Sequence, residues 1–116
     1  MTPQEIVDNV AVRLRDGRGQ ASDRIRKTCR YRSIRDIPCA VGCLLDDETA
    51  RMWDTLNLPL AKLVSLPDSP KWMAANLSLL MDLQTLHDGA NWEEKKFANE
   101  RSFEFICDKY DLEYPQ

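Results

Sequence analysis

The residues of this 116-residue chain best suited to chemistry are four cysteines, Cys29, Cys39, Cys43 and Cys107, and a single histidine, His87. Cys39 and Cys43 stand four apart, so on a helix they share one face. With Cys29 opposite Cys39 and His87 closing the set, three thiolates and one imidazole would make a structural zinc site. The spacing, C-x9-C-x3-C, lacks the C-x2-C knuckle of such sites. A second chemistry takes Cys39, placed after Pro38 at a helix start, as a nucleophile of lowered pKa, with His87 as base and Asp88 as orienter. The run Pro38-Cys39-Ala40-Val41-Gly42-Cys43 has the look of a zinc deaminase loop. It is one residue too long, and the chain has no H-x-E to supply the ligand and proton-shuttling glutamate. The reading adopted is therefore buried thiols, a common state of free cysteine, with no metal, no cofactor and no enzymatic activity. Cys29, Tyr31, Arg32, Cys39, His87 and Asp88 are predicted to meet as a structural cluster in which Arg32 pairs with Asp88.

Charge is the second signal. The net charge is -3, but residues 1–36 carry nine Arg and Lys against five Asp and Glu, and residues 37–116 carry seven against fourteen. Arg24, Arg26, Lys27, Arg30 and Arg35 are the candidate partner-binding residues. Such a cluster suits an acidic protein surface or nucleic acid, and it equally suits the acidic half of its own chain. Tyr31 between Arg30 and Arg32 is the one aromatic in it, too few for a base-stacking platform.

The elements that must position these residues read as helices. Thr2, Pro3 and Glu5 make a capping box ahead of the stripe Ile6, Val7, Val10, Ala11 and Leu14, with Gly17 and Gly19 to end the helix. Cys29, Tyr31 and Ser33 alternate with Arg30 and Arg32, the period of a short strand, and Ile37 to Cys39 could return beside it. Cys39–Leu45 reads as a buried helical turn with Gly42 allowing close backbone approach. Asp46 or Asp47 starts a helix to Asn57 with Met52, Trp53 and Leu56 inward. A short helix, Leu60–Ser65, lies between Pro59 and Pro67. Pro70 to His87 reads as one central helix capped by Ser69, and Asn91 with Glu94 opens a last helix to about Tyr110. The tail from Asp111 is expected to fray. The fold class is thus mainly α: a single compact domain, residues 1–116, of about five helices with a two-stranded hairpin near residues 28–39. Asn76, Ser78 and Asp82 interrupt the most apolar run, so no membrane span is expected. With no charged-then-apolar opening, the expected location is the cytoplasm.

Three motifs carry a resemblance. Cys29-Arg30-Tyr31-Arg32, Cys39-Ala40-Val41-Gly42-Cys43-Leu44 and Leu83-Gln84-Thr85-Leu86-His87-Asp88 resemble those of a group of short bacteriophage and bacterial proteins of unknown function. The resemblance spans roughly residues 2–92 and leaves the last helix outside it. Cys29, Tyr31, Arg32, Cys39, Ala40, Gly42, His87 and Asp88 match its pattern, while the turn Ser33–Asp36 lacks the glycine expected there. What the resemblance implies is a setting: a phage or prophage accessory protein in the host bacterial cytoplasm, acting by binding a host protein or defence complex. The alternative is a small nucleic-acid-binding or zinc-stabilised module using the basic N-terminal third.

Overall fold

The computed structural model describes residues 1–16, 22–23, 28–29, 31, 38–89, 92–93 and 96–116. Helix α1 spans Pro3–Leu14. The Thr2 hydroxyl accepts from the Glu5 backbone N–H, and the Glu5 carboxylate accepts from the Thr2 N–H at 2.9 Å, closing the capping box. Its buried stripe is Ile6, Val7, Val10, Ala11 and Leu14, and Arg13 is buried with it.

Past α1 the described backbone has short paired segments. Strand β1, Ser22–Asp23, runs antiparallel to β2, Thr28–Cys29. Of the hairpin expected over 28–39, the start of the first strand pairs backwards with Ser22 and Asp23, and no second strand lies beside it among the described residues. Residues 32–37, its turn, lie outside the described residues. The Cys39 N–H does donate to the Tyr31 carbonyl at 3.3 Å. Period-two alternation marks a strand without saying which partner it takes, and Pro38 has no N–H to extend a ladder.

Cys39, Ala40 and Val41 are buried and lead into a 3-10 turn, Gly42–Leu44. A Cβ on Gly42 would lie 2.1 Å from the Tyr31 carbonyl oxygen, so only glycine lets the two backbones touch here. Helix α2, Asp47–Leu56, is capped by Asp46, whose carboxylate accepts from the Thr49 N–H at 2.7 Å. It ends on Asn57 in the left-handed region, φ 51°. Its inward residues are Ala50 and Trp53. Met52 and Leu56, expected inside, are each 44% exposed, because α2 lies at the edge and one narrow stripe suffices to hold it. Helix α3 is the single turn Leu60–Leu63.

The central helix is two helices, α4, Lys71–Ala75, and α5, Leu77–Asp88. Asn76 separates them with φ -118°, ψ 22°, and its side-chain amide donates to the Trp72 carbonyl at 2.7 Å. A side chain competing with the backbone ladder in this way is why asparagine interrupts an otherwise continuous apolar run. Ser69 does not cap: its hydroxyl donates to the Leu63 carbonyl and fastens the loop after α3. Leu79, Leu80, Leu83 and His87 of α5 are buried.

The last helix starts later than the expected Asn91, which with Glu94 lies outside the described residues. Trp92–Glu93, β3, instead pairs antiparallel with Lys96–Phe97, β4, and Phe97 is buried. Helix α6 is Glu100–Lys109 and buries Phe103, Ile106 and Cys107. Beyond it the tail is docked, contrary to the expected fraying. Leu112 N–H donates to the Cys107 carbonyl and Asp111 N–H to the Asp108 carbonyl, a Schellman closure with Asp111 at φ 56°. The Gln4 amide then bonds Glu113 in both directions, at 3.0 and 2.9 Å. Tyr114 meets Phe103 edge to face at 5.7 Å, and Arg15 holds the Pro115 carbonyl at 2.9 Å.

The core thus sits where α1, the 3-10 turn and α5 pack together, with Trp53, Leu63, Met73 and Phe103 closing it. The chain is mainly helical, and its radius of gyration, 13.4 Å, matches a compact chain of this length. No helix among the described residues is long and apolar enough to cross a membrane.

Candidate functional site

The cluster around His87 is built from α1, the Pro38–Leu44 segment and the end of α5. The spacing of Ile6, Val10 and Arg13 puts Arg13 on the core face of α1, and it is only 3% exposed. Its guanidinium donates to the Pro38 carbonyl and to Asp16 at 3.0 Å, and lies 3.4 Å from Nε2 of His87. A guanidinium can only donate, so a hydrogen bond between the two requires His87 Nε2 as the acceptor. The ring's Nδ1 faces the Asp88 carboxylate at 3.3 Å. Gln84 links the cluster to the turn: its amide donates to Asp88 at 2.8 Å, and its carbonyl accepts from Val41 N–H at 3.1 Å. Asp54 of α2 accepts from Tyr31 N–H at 2.8 Å, and the Tyr31 ring meets Trp53 edge to face at 5.4 Å.

Tyr31, Cys39, His87 and Asp88 therefore lie together. Cys29 lies in β2, and Arg32, the expected partner of Asp88, lies outside the described residues. The same holds for Arg24, Arg26, Lys27, Arg30 and Arg35. Three residues of the cluster escaped the sequence reading: Arg13, Asp54 and Gln84. Arg13 had a signal, a cation falling on an apolar stripe. Gln84 stood in the motif that ends on His87-Asp88, but its role had no signal, and Asp54 had none at all, since each acts on backbone far along the chain.

Cys39 and His87 of this cluster are shut off from solvent. The Cys39 thiol is buried and accepts from Gly42 N–H at 3.2 Å. Burial, with Asp88 adding to it, pushes the thiol up to about 12, the reverse of the lowered value expected for a nucleophile. Burial likewise pushes the Tyr31 hydroxyl up, helped by the charges of Cys39, Asp54 and Asp88. The His87 nitrogen that would face a metal faces a guanidinium, and Cys43 Sγ donates to the Ala40 carbonyl at 3.1 Å. Among the described residues, no three of His, Cys, Asp and Glu are placed to hold a metal ion.

A second feature lies on the surface between α5 and α6. Arg101, Phe105 and Lys109 follow one another at four-residue spacing and form one row along α6. Phe105 is 70% exposed. With Ser102 and Ile106 on the same side, and Asp82, Thr85 and Leu86 across from them, the row borders an open groove of about 510 Å³. Lys109 pairs with Asp82 at 2.8 Å, and the Tyr110 hydroxyl donates to the same carboxylate at 2.6 Å. This pairing keeps Asp82 below the usual carboxylate range. Arg101 makes no ion pair among the described residues. Glu104 and Asp108 are not among the residues that line the groove. Comparison with protein-family models, curated proteins and solved structures finds no match for the chain.

Proposed function

We propose that the protein acts without chemistry of its own, as a small accessory protein that binds another protein through the groove between α5 and α6. The observation that carries this reading is Phe105, a large aromatic left 70% exposed at the lip of a groove while the chain has a well-filled core elsewhere. Exposed aromatics beside a cleft and flanked by arginine are the composition of binding hot spots. The buried, protonated Cys39 and the guanidinium-capped His87 support a non-enzymatic reading, because neither nucleophile nor base can reach a substrate. The motif resemblance supports a phage or prophage setting, with a host protein or defence complex in the host cytoplasm as the partner.

The basic segment with Arg24, Arg26, Lys27, Arg30 and Arg35 is a second candidate surface, for the same protein partner or for nucleic acid. Two cations of the N-terminal third are already engaged: Arg13 with Asp16, and Arg15 with Glu100 at 2.9 Å. That weakens the nucleic-acid alternative.

The test is capture from bacterial lysate with the purified chain, its Phe105→Glu variant, and a variant carrying serine at 24, 26 and 27. A stoichiometric protein kept by the wild type and the serine variant but lost by Phe105→Glu is the expected result. Capture that depends on the basic segment alone, or of nucleic acid alone with steep salt dependence, would overturn the reading.

A further inference from the structure

We infer that the groove between α5 and α6 takes an acidic amphipathic helix of the partner, with a carboxylate on Arg101 and a large apolar side chain against Leu86, Phe105 and Ile106. The inference rests on the reading of this groove as the partner-binding surface.

Charge complementarity points to that occupant. The wall of the groove on α6 offers two cations, Arg101 and Lys109, on either side of Phe105, and no carboxylate. The one carboxylate lining the groove, Asp82, is held by Lys109 and the Tyr110 hydroxyl. An approaching anion therefore meets Arg101 first, a planar donor suited to binding a carboxylate through two bonds. A cationic segment would meet the same guanidinium, and the one carboxylate lining the groove is already engaged. In a chain of net charge -3, a positive row centred on an exposed aromatic is set apart from its surroundings.

Geometry selects a helix. From Arg101 to Lys109 the row runs about 12 Å, the length of about two helical turns. A helix laid there presents apolar residues at i and i+4 to the floor and acidic residues on the flank, the helix-in-groove mode. The chain itself carries one face of similar chemistry, the exposed Met52 and Leu56 of α2 with Glu48 at the same spacing. Docking of that face on a second copy would be head to tail and would grow open chains unless it closed into a ring. A free partner helix needs no such closure.

Two fluorescent peptides of about 15 residues, long enough to hold helix, test the inference. Both carry Leu at i and i+4 in an alanine-rich frame; one is flanked by Glu and the other by Lys at the same positions. Anisotropy is read against the full chain and its Arg101→Glu, Arg101→Lys and Phe105→Ala variants, all checked for an unchanged melting curve. The Glu peptide should bind at least about tenfold more tightly than the Lys peptide. Arg101→Glu should abolish that preference, Arg101→Lys should keep most of it, and Phe105→Ala should weaken binding of the Glu peptide. Equal binding of both peptides that still depends on Phe105 would overturn the acidic preference and leave the groove as the partner surface. Binding indifferent to both positions would overturn the inference and the groove reading together. Self-association in light scattering, lost in both Phe105→Glu and Met52→Glu, would overturn it in favour of a second copy.

Discussion

The Arg13 guanidinium lies 3.4 Å from Nε2 of His87 inside the core, and each side chain is at most 3% exposed. Both side chains are basic, and the contact between them is a hydrogen bond only through the lone pair of His87 Nε2, since a guanidinium can only donate. Arg13 also satisfies the Pro38 carbonyl, so one side chain joins α1, the segment before the 3-10 turn and the end of α5.

Removing that side chain leaves buried acceptors unmet on two elements. Arg13→Ala should cost on the order of 3 kcal/mol. Arg13→Met keeps the apolar stem and should cost less. Urea unfolding of the two variants checks the order.

Gly42→Ala places a Cβ against the Tyr31 carbonyl oxygen, a backbone atom that cannot swing aside. The turn must shift, at a cost of about 1–3 kcal/mol. Thermal unfolding should show a clear loss for Gly42→Ala and almost none for the control Lys71→Arg on the exposed face of α4.

How far these sites were legible depends on the range of the interactions. The start and apolar stripe of helix α1 were readable because Thr2, Pro3, Glu5 and the stripe act within a few residues of one another, whereas Arg13 was not, and Gly17 and Gly19 lie outside the described residues. The break at Asn76 was hidden by apolar periodicity that runs through it. Asn91 and Glu94 lie outside the described residues, and the segment between them pairs as a strand with Lys96–Phe97, which buries Phe97. The tail looked like a polar end, yet Gln4 and Arg15 hold it from 109 and 100 positions away. Phe105 falls off the helical stripe of Phe103, Ile106, Cys107 and Tyr110, and in the fold it stays outside.

Glu100 ties the tail to α1, and its acid–base behaviour gives a pH test. Arg15 first, and then the Tyr114 hydroxyl, hold its carboxyl below the ordinary 4.5. The folded state thus binds the proton less readily than the unfolded chain. The stabilisation is full above the unfolded value and is lost as pH falls through the folded one. Stability should fall as pH drops below about 4.5, and Glu100→Gln should flatten that acid slope in unfolding curves read from pH 7 to 3.

Thiol labelling distinguishes a packed cysteine from an activated one. Burial pushes Cys39 to about 12 and Cys107 to about 11, whereas Cys43 is only half-buried. Brief alkylation of the native protein, read by peptide mass spectrometry, should modify Cys43 well before Cys39 or Cys107. Fast labelling of Cys39 at neutral pH in the folded protein would restore the nucleophile reading.

The most direct test of the binding account is hydroxyl-radical footprinting of the protein alone and with its captured partner. Phe105 at 70% exposure and Met52 at 44% both react in the free chain. The account predicts that the partner lowers oxidation of Phe105 several-fold and leaves Met52 unchanged. Undiminished oxidation of Phe105 in the complex would contradict it.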